Sequence, residues 1–113
     1  MSGTDTPATP RFAKFDLGTV AGELPEAWRS TVVATAAGVN VKVLRMDGAP
    51  YAAESHGFAE GLLVLEGRMN LDVAGEIVSV GAGEIIVVPA GVPHAVMPGS
   101  HGTLVILDPA DSL

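Results

Sequence analysis

From Thr31 onward the chain is cut into short apolar stretches by glycine and proline, and none of them keeps a long helical period. Val39, Val41 and Val43 alternate with Asn40 and Lys42. Met69, Leu71 and Val73 alternate with Arg68, Asn70 and Asp72. This is strand period, because successive side chains of a strand point to opposite faces. Turn signals fall between the stretches, at Ala37 with Gly38, Asp47 with Gly48, and Ala74 with Gly75. Strands are predicted at residues 32–36, 39–46, 51–56, 62–65, 69–73, 76–80, 84–88, 95–97 and 103–107. Short strands at this spacing predict an all-β sandwich or barrel, which also removes exposed strand edges. Residues 85–88 are apolar on both faces, which predicts cover on both sides, a second subunit being one source of it.

The first part of the chain reads differently. Residues 1–10 are mostly Ser, Thr, Pro, Gly and Asp, so a loose tail is expected there. Residues 11–15 read as an edge strand. Pro25 sits in a helix-starting context, which predicts one short turn over 23–28. A chain of 113 residues is one domain's worth, so 11–113 is expected to form one barrel domain.

Composition excludes several function classes. There is no cysteine, so disulfides and thiolate metal sites are ruled out. The net charge of -7 lacks the field that gathers phosphate backbones or anionic lipid, so no nucleic acid and no membrane partner is expected. The apolar runs are too short to span a bilayer, and the polar N-terminus lacks the stretch of a secretory signal. A cytoplasmic protein is expected. The hydrophobic share of 48% is high for so small a chain and hints at a subunit interface, hence a homodimer.

The residues that carry chemistry are Glu54, His56, Glu60 and His94. Glu54 and His56 are two apart on a predicted strand and so share a face. Glu60 opens the next strand or the bend before it. His94 follows the proline- and glycine-rich turn at 89–93. Alternation from Glu60 places Leu62 and Val64 on its face, and alternation from His94 places Val96 on its own. Four ionisable groups on otherwise apolar faces need a partner, since unpaired buried charge is costly. A divalent cation offsets two carboxylates and is bound by two neutral imidazoles. That mix of oxygen and nitrogen suits Fe, Mn, Zn or Ni. His56, Glu60 and His94 alone make a two-histidine, one-carboxylate set of the kind used by non-haem iron oxygenases.

Two stretches around these residues resemble the paired motifs of the cupin superfamily, of the small single-domain type. Gly48, Glu54-Ser55-His56, Glu60 and Gly67 keep the spacing of the first motif. Gly83, Pro89, Gly91 and His94 keep that of the second. The resemblance implies a jelly-roll barrel (a double-stranded β-helix), a metal between the two motifs and a homodimer. The chain departs from the pattern twice. Glu54 stands where the first motif has its first histidine, and Pro98 where the second has an asparagine. Glu54 is then either an oxygen ligand or a general base beside a three-ligand metal, unless the change marks a site that no longer binds metal.

The expected function is a metal-dependent enzyme of oxygenase or isomerase type acting on a small organic molecule. The alternative is a non-catalytic metal-binding or small-molecule sensor module. A metal-free, epimerase-like barrel ranks last, since it needs a cationic lumen and the predicted lumen strands offer few Lys or Arg. His101 reads as a turn residue outside the site. Tyr51 and Phe58 read as buried packing ahead of the alternative that they line the pocket mouth, and Trp28 reads as an anchor for the N-terminal segment rather than a ligand platform. Arg45 and Arg68 read as solvated strand positions, either of them a candidate for binding a substrate carboxylate.

Overall fold

The computed structural model describes residues 11–112, so the expected tail at 1–10 lies outside the described residues. A short helix, α1 (Leu17–Gly22), precedes eight strands: β1 (Thr31–Ala36), β2 (Val39–Asp47), β3 (Tyr51–Glu54), β4 (Glu60–Val73), β5 (Glu76–Gly81), β6 (Ile85–Val88), β7 (His94–Val96) and β8 (His101–Pro109). Every pairing is antiparallel. The sheet runs β1-β2-β8-β4-β7-β3, with β5 and β6 also on β4. The all-β barrel expected from the sequence is the architecture observed.

β4 is the spine that lets the sheet close. Its first part pairs with β6 on one edge and β8 on the other, and its last part pairs with β5 and β7. A strand has only two edges, so it must change neighbours midway. It does so at an irregularity between Val64 and Glu66, followed by Gly67 at φ 86°. There β4 and β8 approach so closely that a Cβ on Gly67 would lie 2.0 Å from the His101 carbonyl oxygen. A Cβ on Gly102 would lie 2.0 Å from the Glu66 carbonyl oxygen. Only glycine fits either position.

The curled sheet has an apolar layer on each side. The inner one gathers Val64, Met69 and Leu71 with Leu44, Met46, Leu62 and Leu104. The outer one lies under α1, where Ala21 packs with Val43 and Val105, flanked by Leu17, Val20 and Leu24. Asp16 starts α1 by accepting the Thr19 N–H at 3.1 Å. Six residues are too few to hold a helix alone, so α1 depends on this docking. β2 is therefore covered on both faces. Val41 and Val43 meet the helix side, while Leu44 and Met46 meet the lumen.

Three expectations are corrected. Residues 11–15 form no strand; they lead into α1 with Phe12 and Phe15 exposed. The turn expected over 23–28 is present at 25–28, but no helix starts at Pro25: the helix lies earlier, at Leu17–Gly22, because Asp16 caps it and Leu17, Val20, Ala21 and Leu24 make one apolar stripe. The strands expected at 62–65 and 69–73 are one strand bent at Gly67. No helix among the described residues is long and apolar enough to cross a membrane.

Candidate metal centre

The four chemistry-bearing residues come from both expected motifs. Glu54 ends β3 and is the direct cross-strand partner of His94, which opens β7. Glu60 opens β4, opposite Val88. His56 stands in the β3–β4 connection, two residues beyond the end of the strand. The connection is fixed by the Gly91 N–H, which donates to the His56 carbonyl at 2.7 Å and so ties the two motif loops together.

The four side chains converge. His56 Nε2 lies 3.4 Å from Glu54 Oε1 and 3.8 Å from Glu60 Oε2. His94 Nε2 lies 3.1 Å from Glu60 Oε1. Donor atoms of Glu54, His56 and His94 all fall within 4.8 Å of one another. Glu60 sits between the two imidazoles. The site grades from buried to exposed: the His94 side chain is 7% exposed and that of Glu54 43%. His56 is braced by Phe58, whose ring stacks on it at 5.0 Å and 8°.

Two observations say what this group lacks. His56 Nε2 is buried and has no hydrogen-bond partner. His94 Nδ1 lies 3.0 Å from the Val92 carbonyl oxygen, which can only accept. That contact puts a proton on Nδ1, so in the neutral tautomer Nε2 is the nitrogen that carries the lone pair. Nε2 lies 3.1 Å from Glu60 Oε1, a contact that a second ring N–H closes in the protonated imidazole and that a cation closes in the neutral one. A cation at this point would give His56 Nε2 the partner it lacks. The carbonyl contact also sets the tautomer and orientation that metal-bound histidines commonly have. The donor set of nitrogen and carboxylate oxygen fits a divalent first-row metal.

The group opens onto a cavity of about 300 Å³ inside the barrel. Leu62 and Val96 line it, as alternation from Glu60 and His94 predicts. Three aromatic residues differ from expectation. Tyr51, Phe58 and Trp28 all line the cavity, rather than serving only as packing or as an N-terminal anchor. Trp28 is held at φ 67°, with Nε1–H donating to Asp47 Oδ1 at 2.7 Å and its ring 5.6 Å from Tyr51. His101 stays outside, exposed at the start of β8. Sequence reasoning missed Lys42 and Asp108, which also line the cavity. The one pointer to Lys42 is its shared period with Leu44 and Met46 in β2, and it carries weight only once that face is known to line the lumen.

Several solved structures share the fold. A cupin-2 domain containing protein from Shewanella frigidimarina superposes with a TM-score of 0.76 at 22% identity, over 84% of this chain and 93% of that one. Protein NMB1881 from Neisseria meningitidis gives 0.74 at 23% identity, over 86% and 99%. A salicylate 1,2-dioxygenase from Pseudaminobacter salicylatoxidans gives 0.59 at 22% identity, over 65% of this chain but only 21% of that one. No curated protein matches the chain in sequence. The cupin domain family matches residues 45–108, a span that holds both motifs and more than half of the chain. The chain belongs to the cupin family.

Proposed function

We propose that Glu54, His56, Glu60 and His94 hold a divalent metal in the barrel and that the protein is a metal-dependent enzyme acting on a small organic molecule. The observation that carries this is the buried, partnerless Nε2 of His56, with two carboxylates within 4 Å of it and the His94 ring beside it. When bound, the ion supplies Lewis acidity or a place for dioxygen. The chain supplies the rest. Glu60 and His94 are buried and fixed. Phe58 holds the His56 ring. Glu54 is the member that reaches solvent, so it is placed to carry a proton between a ligand in the cavity and water. The dioxygenase among the structural relatives lends this reading its reaction type.

The test is elemental analysis of the purified protein and of a His56→Ala variant. One Fe, Mn, Zn or Ni per chain is expected in the first and loss of it in the second. Absence of metal in the wild type, even after incubation with each ion, overturns the reading. With the metal identified, Glu54→Gln is expected to lower turnover of small organic acids or diketones about 100-fold, and metal content that holds makes Glu54 the base beside the ion, whereas content that falls makes it a ligand. We also infer that the protein is a homodimer, with the outward side chains of β6 covered by a second copy.

A further inference from the structure

β2 carries a cation into the lumen. Lys42 lines the same cavity as the Glu/His group, and its side chain is only 15% exposed. Its Nζ lies 2.6 Å from Asp108 Oδ2 on β8, and the Asp108 side chain is 4% exposed. The other Asp108 oxygen accepts from Asn40 Nδ2 at 3.1 Å. Asn40 also donates to the Pro109 carbonyl at 3.2 Å and accepts from the Thr35 hydroxyl at 3.1 Å. Asp108 is thus satisfied and held, and it in turn holds Lys42.

Lys42 has donors to spare. An ammonium offers three N–H donors. Asp108 is its one ionic partner among the described residues, and they give it no further hydrogen bond. Ser112 lines the same cavity, and its Oγ is buried without a partner among the described residues. The remaining wall is largely apolar, with Leu62, Met69, Leu71 and Leu104. Donors left over in an apolar cavity call for an acceptor, because unpaired buried polar groups are costly. The two arginines considered from sequence are engaged elsewhere. Arg45 donates to the Leu24 carbonyl and Arg68 to Ser79 Oγ.

We propose that Lys42, positioned by Asp108 and Asn40 and joined by Ser112, binds the carboxylate of a small organic acid whose apolar body fills the lumen. This names the substrate class for the site under "Proposed function" and rests on that reading for what happens at the Glu/His group. A carboxylate is favoured over a neutral oxygen because its full negative charge adds Coulomb attraction to the ammonium, which water screens less inside the cavity. With a divalent cation bound, the carboxylates of Glu54, Glu60 and Asp108 are matched by the ion and Lys42. The cavity groups themselves then carry no net negative charge against an entering anion.

The test compares acids with their primary amides. Phenylacetate and hexanoate are titrated against phenylacetamide and hexanamide by calorimetry and by fluorescence of Trp28, the one tryptophan and a cavity residue. The acids are expected to bind at least tenfold more tightly. Lys42→Met alone leaves a buried, unpaired Asp108 and is prone to unfold. The informative variant therefore pairs Lys42→Met with Asp108→Asn. It is expected to keep its circular dichroism and metal content and to lose the preference for acids, whereas Lys42→Arg keeps that preference. Equal binding of acid and amide, no binding of any probe, or a preference that survives in the double variant overturns the proposal. A preference for acids in a protein shown to take up no metal upholds it and overturns the metal reading instead.

Discussion

Asp47 shows how a single carboxylate sets the wall of the lumen. It accepts the Ala49 N–H at 3.1 Å and the Trp28 indole N–H at 2.7 Å, and these contacts hold its carboxyl below the usual value of 3.8. A carboxyl lowered on folding stabilises the fold above its unfolded value, and that contribution fades as pH falls through the folded one. Trp28 fluorescence is therefore expected to hold steady down to pH 3.8 and to shift in the acid below it. Asp47→Asn is expected to remove that acid transition while leaving the neutral spectrum near that of the wild type. The metal cluster makes a second prediction at this scale. Binding to the folded state adds stability by mass action, about 2.7 kcal/mol at a free ion concentration of 100 times Kd. Chelation of the loaded protein is expected to lower Tm by several degrees, and His56→Ala to abolish the effect. An unchanged Tm in protein shown to contain metal speaks against the site. That Glu54, His56, Glu60 and His94 come together was legible in the spacing of the two motifs and in the apolar alternation after Glu60 and His94. Lys42 was not, because beside Val41 and Val43 it looks like the wet side of an ordinary strand.

At the scale of elements, the same ambiguity explains what the chain hides. Alternation separates the two faces of β2 but does not say which one lines the barrel when both are covered. The cover on the outer face is α1, and six residues show too little period to announce a helix. Only the stripe of Leu17, Val20, Ala21 and Leu24 behind Asp16 marks it, and the stripe gains meaning once Val43 and Val105 are seen beneath it. β4 was split in two for a related reason. Gly67 reads as a turn, yet in the structure it is the bend at which one strand passes between neighbours. The bend is where the fold is least tolerant. Gly67→Ala puts a methyl group 2.0 Å from the His101 carbonyl oxygen at a backbone angle that disfavours any side chain. Both costs apply together, so a loss of more than about 3 kcal/mol is expected by urea denaturation. Gly83→Ala is the control. It shares the positive φ but meets nothing within 4 Å, so about 1 kcal/mol is expected there. Equal effects at the two positions contradict the close β4–β8 crossing.

For the whole molecule, the question is what covers the outer face beyond α1. The helix shields the part formed by β2 and β8, but Ile85 and Val87 on β6 are 51% and 62% exposed. They continue the same face: Gly61, which pairs with Val87, has both Ile85 and Leu107 side chains within 3.5 Å of where its Cβ would lie. An aliphatic strip on an exposed β-strand is poorly suited to water, and large apolar patches on small proteins mark interaction surfaces. A second copy of the chain offers the same strip in return, as a two-fold interface requires. Sedimentation equilibrium is expected to give the mass of two chains, and Ile85→Lys with Val87→Lys the mass of one. Both positions point away from the lumen, so the double variant is expected to keep its circular dichroism and its metal content. A wild type that sediments as one chain at all concentrations removes the dimer and leaves the lumen chemistry untouched. A variant that loses metal on dissociation shows instead that the two barrels depend on each other for the site.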